Sequence, residues 1–341
     1  MRTALHLVLA GDPSAAEAAL AEAARLDPDS TDVYMALSNL YRARGDIGRA
    51  IQIHQNVLLR HDLPEDLRRE ALLGLALDFR SGGFLKRAAS SFVELLEVEP
   101  HNLQALRELE RIRVESGDWE GAIRIRRRIG SRDPRTARIL AHLWAGRAGE
   151  QVRAGDSGAA RKSLKRALGY DRTCAEVFLA LGDLALEAGK PRKATSHWER
   201  ALPLHPAIGM LVYPKLREAF GRERDLPAFE SLLLTRLAAQ PEDREAALWL
   251  ARVQLEQGRS VDAVATLRQI LERMPSFLPA HAELGRILMR EQRIPEAMLA
   301  FGALLDRLPL ERPRLRCQSC GAHDAELRWR CAQCGEWDSF V

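Results

Sequence analysis

The sequence predicts an all-α protein, a right-handed superhelix of stacked helical hairpins, that ends in a small β module held by a metal ion. Three observations carry that expectation. A glycine-centred turn text recurs with a period near 34 residues. An alanine stands five residues after each such glycine, and a large residue usually follows four positions later. Four of the five cysteines in the 341-residue chain fall in its last 25 positions, as two Cys-x-x-Cys pairs.

The units can be taken in order. AGDPSAA, at Gly11, leads into Ala16 and Leu20, so the first unit lacks the start of its first helix. RGDIGRA (Gly45), GGFLKRA (Gly83), SGDWEGA (Gly117), AGDSGAA (Gly155) and AGKPRKA (Gly189) mark units two to six, at intervals of 34, 38, 34, 38 and 34. GRERDLPA carries the seventh turn without the glycine, QGRSVDA (Gly258) the eighth, and EQRIPEA, near Gln292, the ninth. The two longer spacings predict longer loops. Glycine ends a helix at low cost in the left-handed region. The alanines (Ala16, Ala50, Ala88, Ala122, Ala160, Ala194, Ala228, Ala263 and Ala297) let the second helix approach the first. Leu20, His54, Phe92, Leu164, Trp198, Leu232, Leu267 and Phe301 follow on the same face and read as core, as does Trp144. Prolines at 28, 100, 134, 206, 241, 275 and 309 stop the second helices. This pattern resembles the tetratricopeptide repeat, with AEVFLALGDLALEAGKPRKATSHWERALPLHP the nearest match. About nine units fill residues 1–309. A lone hairpin cannot bury its apolar face, so the units stack and present a concave groove lined by first helices.

Residues 310–316 read as a linker without helical periodicity, and 317–341 as the metal module. Cys317 and Cys320, then Cys331 and Cys334, each place two thiolates on one tight turn, and Gly321 and Gly335 follow the second cysteine of each pair. Glycine there permits positive φ, so that backbone N–H groups point at sulfur. Two such knuckles facing each other form a closed tetrahedral four-sulfur site for zinc or iron, as in a zinc ribbon or rubredoxin. Disulfides are disfavoured by the three-residue spacing. AELRWR, between the knuckles, alternates and predicts a strand. A full coordination shell is not hydrolytic, and no phosphate loop, HExxH, GxSxG or dinucleotide fingerprint occurs. The expectation is a protein that is not an enzyme.

Bulk composition agrees. The chain is 46% hydrophobic and 29% charged, enough for a core, and its net charge of +4 calls for no nucleic acid. Residues 310–341 balance five arginines against five acidic residues, which argues against a ribbon that binds nucleic acid. The apolar run Ala4–Ala10 is far short of the about 20 residues that cross a bilayer. Clustered cysteine pairs and the lack of a spanning segment suggest a reducing, cytoplasmic setting.

The tail RPRLRCQSCGAHDAELRWRCAQCGEWDSF, together with NLYRARGDIGRAIQIHQNVL (Asn39 to Leu58), resembles the lipopolysaccharide assembly protein B family. That family joins about nine tetratricopeptide repeats to such a module. The resemblance implies a non-enzymatic adaptor at the cytoplasmic face of the Gram-negative inner membrane. Its implied partners are a membrane-bound AAA protease, the lipid A deacetylase whose proteolysis it promotes, and lipopolysaccharide assembly factors. It makes Cys317, Cys320, Cys331 and Cys334 the ligands of a module packed back on the repeats. Family members begin with a transmembrane helix. None is found here, so the expectation is an upstream start or a different attachment. A generic repeat scaffold or chaperone-like protein is the alternative.

Further candidates follow from the repeat frame. Asn39, Arg42, Arg80, Arg107 and Arg111 fall at groove positions, where guanidinium groups suit carboxylates of a bound peptide. Arg124, Arg126, Arg127, Arg128, Arg132 and Arg135 are expected on an outward face, solvated or against anionic lipid headgroups. His54 reads as core rather than ligand, His323 as a solvated loop residue, and Cys174 as packing or surface. Trp329 and Trp337 are expected to shield the sulfurs or to form the seam with the array.

Overall fold

The computed structural model describes residues 13–222, 225–307 and 315–341. The run Ala4–Ala10, the turn at Gly11, Glu223 and Arg224 of the seventh turn, Pro309 and linker residues 310–314 lie outside the described residues. Within them are seventeen α-helices and two short strands. The helices are α1 (Pro13–Leu26), α2 (Thr31–Ala43), α3 (Ile47–Leu58), α4 (Glu65–Ser81), α5 (Leu85–Val98), α6 (Leu103–Glu115), α7 (Trp119–Ile129), α8 (Thr136–Arg153), α9 (Ser157–Tyr170), α10 (Ala175–Glu187), α11 (Pro191–Ala201), α12 (Gly209–Arg222), α13 (Leu226–Ala239), α14 (Arg244–Glu256), α15 (Ser260–Arg273), α16 (Leu278–Arg290) and α17 (Ile294–Arg307). The chain forms two compact units, residues 1–143 and 144–341, and the division falls inside α8. No helix among the described residues is long and apolar enough to cross a membrane.

The turn text acts through two residues. Gly45 and Gly117 adopt φ of 82° and 74°, where a Cβ would be strained. The aspartate after each of them caps the second helix. Asp46 Oδ1 accepts the Arg49 N–H at 3.3 Å and Asp118 Oδ1 the Gly121 N–H at 2.8 Å. Such a cap stabilises by about 1 kcal/mol. Four residues after each cap stands a fully buried alanine, Ala50 and Ala122. The same geometry shifts the seventh unit. Asp225 caps α13, so the residue four positions on is Phe229, and the fully buried pair is Phe229 and Leu233. Ala228 and Leu232, expected in those places, are only half-buried, because the glycine-free turn is one residue out of register.

Where the alanine is followed by a large residue, the facing helix gives way. Trp198 is fully buried, and a Cβ built on Gly182 of α10 would come within 2.1 Å of its Nε1. That nitrogen donates to Leu179 O at 3.2 Å and Asp183 Oδ1 at 3.1 Å, so the ring cannot retreat. Gly182→Ala is expected to destabilise the second unit by about 1–3 kcal/mol, read as a lowered thermal midpoint. An unchanged midpoint would show that the ring is free to move.

Two second helices carry a polar residue at this core position. His54 is fully buried, with Nδ1 2.5 Å from Asp78 Oδ2 and Nε2 2.9 Å from Ser38 Oγ. Ser, His and Asp stand here in the order of a hydrolytic triad, but all three are fully buried and Ser38 Oγ also donates to Met35 O. The group closes the core between α2, α3 and α4 instead of facing a substrate.

Arg126 corrects an expectation. It does not face outward with Arg124, Arg127, Arg128, Arg132 and Arg135, which are exposed; it is buried. It stands four residues after Ala122, which is the core position. Its guanidinium meets Glu110 through two hydrogen bonds and Asp133 Oδ2 at 3.0 Å. Burial alone raises the Asp133 carboxyl. The backbone N–H and side chain of Arg135, together with Arg126, more than reverse this and bring it to about 2. A carboxyl held below its unfolded value stabilises the fold above the unfolded pKa and loses that contribution as pH falls through the folded one. Acid titration is therefore expected to remove on the order of 2 kcal/mol between about pH 5 and 2. Asp133→Asn should flatten that part of the stability curve, and an unaltered curve would assign the acid loss elsewhere.

Candidate metal centre

The C-terminal module is built from two matching turns. In the first, the Gly321 N–H donates to Cys317 O at 2.9 Å and the Cys317 N–H to Ala322 O at 2.8 Å. In the second, the Gly335 N–H donates to Cys331 O at 2.9 Å and the Cys331 N–H to Glu336 O at 2.8 Å. Gly321 and Gly335 adopt φ of 76° and 73°, which turns each loop back over its own sulfurs. Strand β1 (Leu315–Arg316) pairs antiparallel with β2 (His323–Asp324). On its other side Arg316 and Val341 exchange both backbone hydrogen bonds at 3.1 Å, and Cys317 bridges Phe340.

The expected strand Ala325–Arg330 does not form. The strand of this loop lies earlier, at His323–Asp324, and only Arg330 pairs further on, in a single bridge to Trp337. The ten residues between the knuckles must span from one to the other, which leaves no partner for a longer ladder.

The two turns bring four sulfurs together. All four Sγ atoms lie within 4.8 Å of one another. Cys317 and Cys334 are 3.6 Å apart, and Cys320 and Cys331 3.7 Å. A tetrahedron with metal–sulfur bonds of about 2.3 Å has edges of about 3.8 Å, so the donor set fits one thiolate-bound ion. The protonation pattern agrees. The Ser339 hydroxyl, 3.2 Å from Cys317 Sγ, and nearby backbone N–H groups hold that thiol down to about 6. Burial, followed by the three neighbouring sulfurs, pushes Cys334 up to about 12. A divalent cation amid four sulfurs supplies the positive charge that thiolate ligation needs. Zinc and iron both accept this shell. His323 is exposed and lies outside the sulfur cluster.

Sequence reasoning missed Phe340 and Ser339. Phe340 packs on Cys317 and Cys331 as the module's core, and Ser339 is the buried hydroxyl against Cys317. Their only signal was position, since a chain crossing β1 after the second knuckle must pass the sulfurs. Of the two tryptophans, Trp329 takes the seam position foreseen for the pair. Trp329 packs on the repeat core around Trp198, Tyr213 and Phe229, and meets the His205 ring edge-on at 5.6 Å. Trp337 is buried within the module, with the Arg330 guanidinium 5.9 Å from its ring centre. Cys174 is buried at the start of α10, away from the four sulfurs.

The groove candidates are engaged within the first unit. Arg42 bonds Asp78 Oδ1 at 2.8 Å and Asn39 Oδ1 at 2.5 Å. Arg80 pairs with Glu115, Arg111 with Glu108 at 3.0 Å, and Arg107 approaches Asp133 at 3.8 Å. A peptide carboxylate would have to compete with these partners.

Comparison with known proteins adds the following. A family model described as a rubredoxin metal binding domain matches residues 316–341. Two tetratricopeptide repeat models match residues 7–69 and 232–276, and residues 141–207. The chain is similar to Lipopolysaccharide assembly protein B of Escherichia coli (strain K12), with 24% identity over 92% of this chain and 81% of that protein. It is also similar to the protein of that name from Haemophilus influenzae, with 26% identity over 90% of this chain and 78% of that one. A crystal structure of a tetratricopeptide repeat protein from Parabacteroides merdae covers 64% of this chain and 96% of its own, at 16% identity and a TM-score of 0.36.

Proposed function

From a tetratricopeptide-repeat chain that resembles the lipopolysaccharide assembly protein B family along most of its length, we propose a regulator of lipopolysaccharide biosynthesis that works as an adaptor and not as a catalyst. In this reading the repeats hold a client, the lipid A deacetylase, and deliver it to a membrane-bound AAA protease at the cytoplasmic face of the inner membrane. The observation that supports it most is the union of two features in one chain. Repeat models and a rubredoxin metal binding domain model match the same chain, and relatives of that name match about nine-tenths of its length. The module serves as a closed structural site, because four thiolates leave no coordination position for a reaction. Of the groove arginines, Arg107 and Arg111 are the more exposed, with 46% and 40% of their side chains open, and are the ones a client carboxylate would meet.

The test is deletion in the native host, with deacetylase abundance followed by immunoblot after synthesis is blocked. The adaptor reading expects the deacetylase to persist, and an unchanged half-life overturns it. Co-purification of the deacetylase and the protease with the full chain separates this function from a generic repeat scaffold, which would retain neither.

A further inference from the structure

The last helix of the array offers a face that earlier second helices keep covered. In α15, Val264 follows the buried Ala263 and Leu271 stands eight residues after it. Val264 is only 5% exposed and Leu271 is partly buried, both in the cluster formed with Phe277, Ala280, Leu284, Ile287 and Leu288 of the next first helix, α16, and its approach. In α17 the equivalents after Ala297 are Met298 and Leu305, and they are 64% and 67% exposed. Ile294, at 46%, continues the stripe with half-buried Phe301 at the spacing i, i+4, i+7, i+11. Leu299 lies open beside it. Terminal repeats ordinarily turn a polar face to solvent. This one leaves Ile294, Met298, Leu299 and Leu305 open together, and clustered apolar patches of this kind are often functional.

We propose that the α17 face is a docking site for an amphipathic α-helix of a partner protein, seated as α16 sits on α15. The chemistry of the occupant is set by that precedent, with a small residue followed by leucines one and two turns on, as in Ala280, Leu284 and Leu288. The linker read from the sequence at 310–316 carries no helical periodicity. The stripe is apolar at the two positions that a following first helix covers, and a surface meant only for water has no use for that match.

The probe is a fluorescein-labelled peptide of residues 276–292, which carries the α16 sequence, titrated with the full chain and followed by anisotropy. Saturable binding is expected with a dissociation constant below about 1 mM. Met298→Glu with Leu305→Glu should weaken it at least tenfold at an unchanged thermal midpoint, and a peptide with Leu284→Glu and Leu288→Glu should not bind. Both protein substitutions fall on exposed side chains. Leu299→Glu, more exposed still, is the second variant should the pair disturb folding, and it should weaken binding in the same direction. Absence of saturation overturns the proposal, as does binding that is indifferent to the α17 variants. A concentration-dependent dimer in sedimentation that the variants dissolve would also overturn it, since a second copy would then own the face.

Discussion

Cys331→Ser is expected to reduce bound metal from one ion per chain to near zero and to unfold residues 315–341. The module is too small to fold on its own apolar area, with Phe340 and Trp337 its main buried side chains. Thiolate ligation contributes roughly 10–16 kcal/mol in small zinc domains, more than such a core can replace. A serine oxygen is a poor, largely protonated donor, and the other three sulfurs cannot close the shell. Elemental analysis of the purified variant gives the metal content. Trypsin cleavage after Arg328 and Arg330 reports the unfolding. Full metal content in Cys331→Ser, with these sites still protected, would remove Cys331 from the ligand set. The visible spectrum of the parent protein separates coloured ferric sulfur ligation from colourless zinc.

Asp78→Ala is the second large effect, with an expected loss of about 3–5 kcal/mol in the first unit. Asp78 is fully buried and accepts from His54 on one oxygen and from Arg42 on the other. Its removal leaves the buried His54 imidazole without its Nδ1 partner and Arg42 with only Asn39 Oδ1 and Gly74 O. Chemical denaturation should show an early transition confined to the first unit. His54→Leu together with Asp78→Leu should recover much of the loss, because the pair is then replaced by apolar volume. Recovery would separate stability from any other role of the group. A loss below about 1 kcal/mol in Asp78→Ala would mean that solvent reaches the site.

Much of this architecture is legible in the sequence, because its determinants are local. Glycine at the turn, aspartate beside it and alanine four residues later are each fixed by backbone geometry, and the Cys-x-x-Cys-Gly knuckle is a local turn as well. What escaped reading depends on partners distant in sequence. Arg126 looks like one of a basic run until Glu110 and Asp133 are seen to enclose it, although its place after Ala122 marked it as core. Phe229 takes over from Ala228 because the capping aspartate, Asp225, falls one residue later than the repeat frame places it. The strand moved from Ala325–Arg330 to His323–Asp324 because alternation gives a residue's face and says nothing of whether a neighbouring strand exists. Of the groove arginines, Arg42 and Arg80 find carboxylate partners one repeat further along, Asp78 and Glu115, which no local pattern signals.

The polar group at His54 has a bearing on assembly. Hairpins built to one plan have mating faces that are nearly interchangeable, and a nascent chain could join them one unit out of step. His54 and Arg42 of one hairpin both reach Asp78 of the next, and another neighbour would strand a polar group in an oily seam. This key gives that joint a fixed partner that purely aliphatic contacts would not enforce.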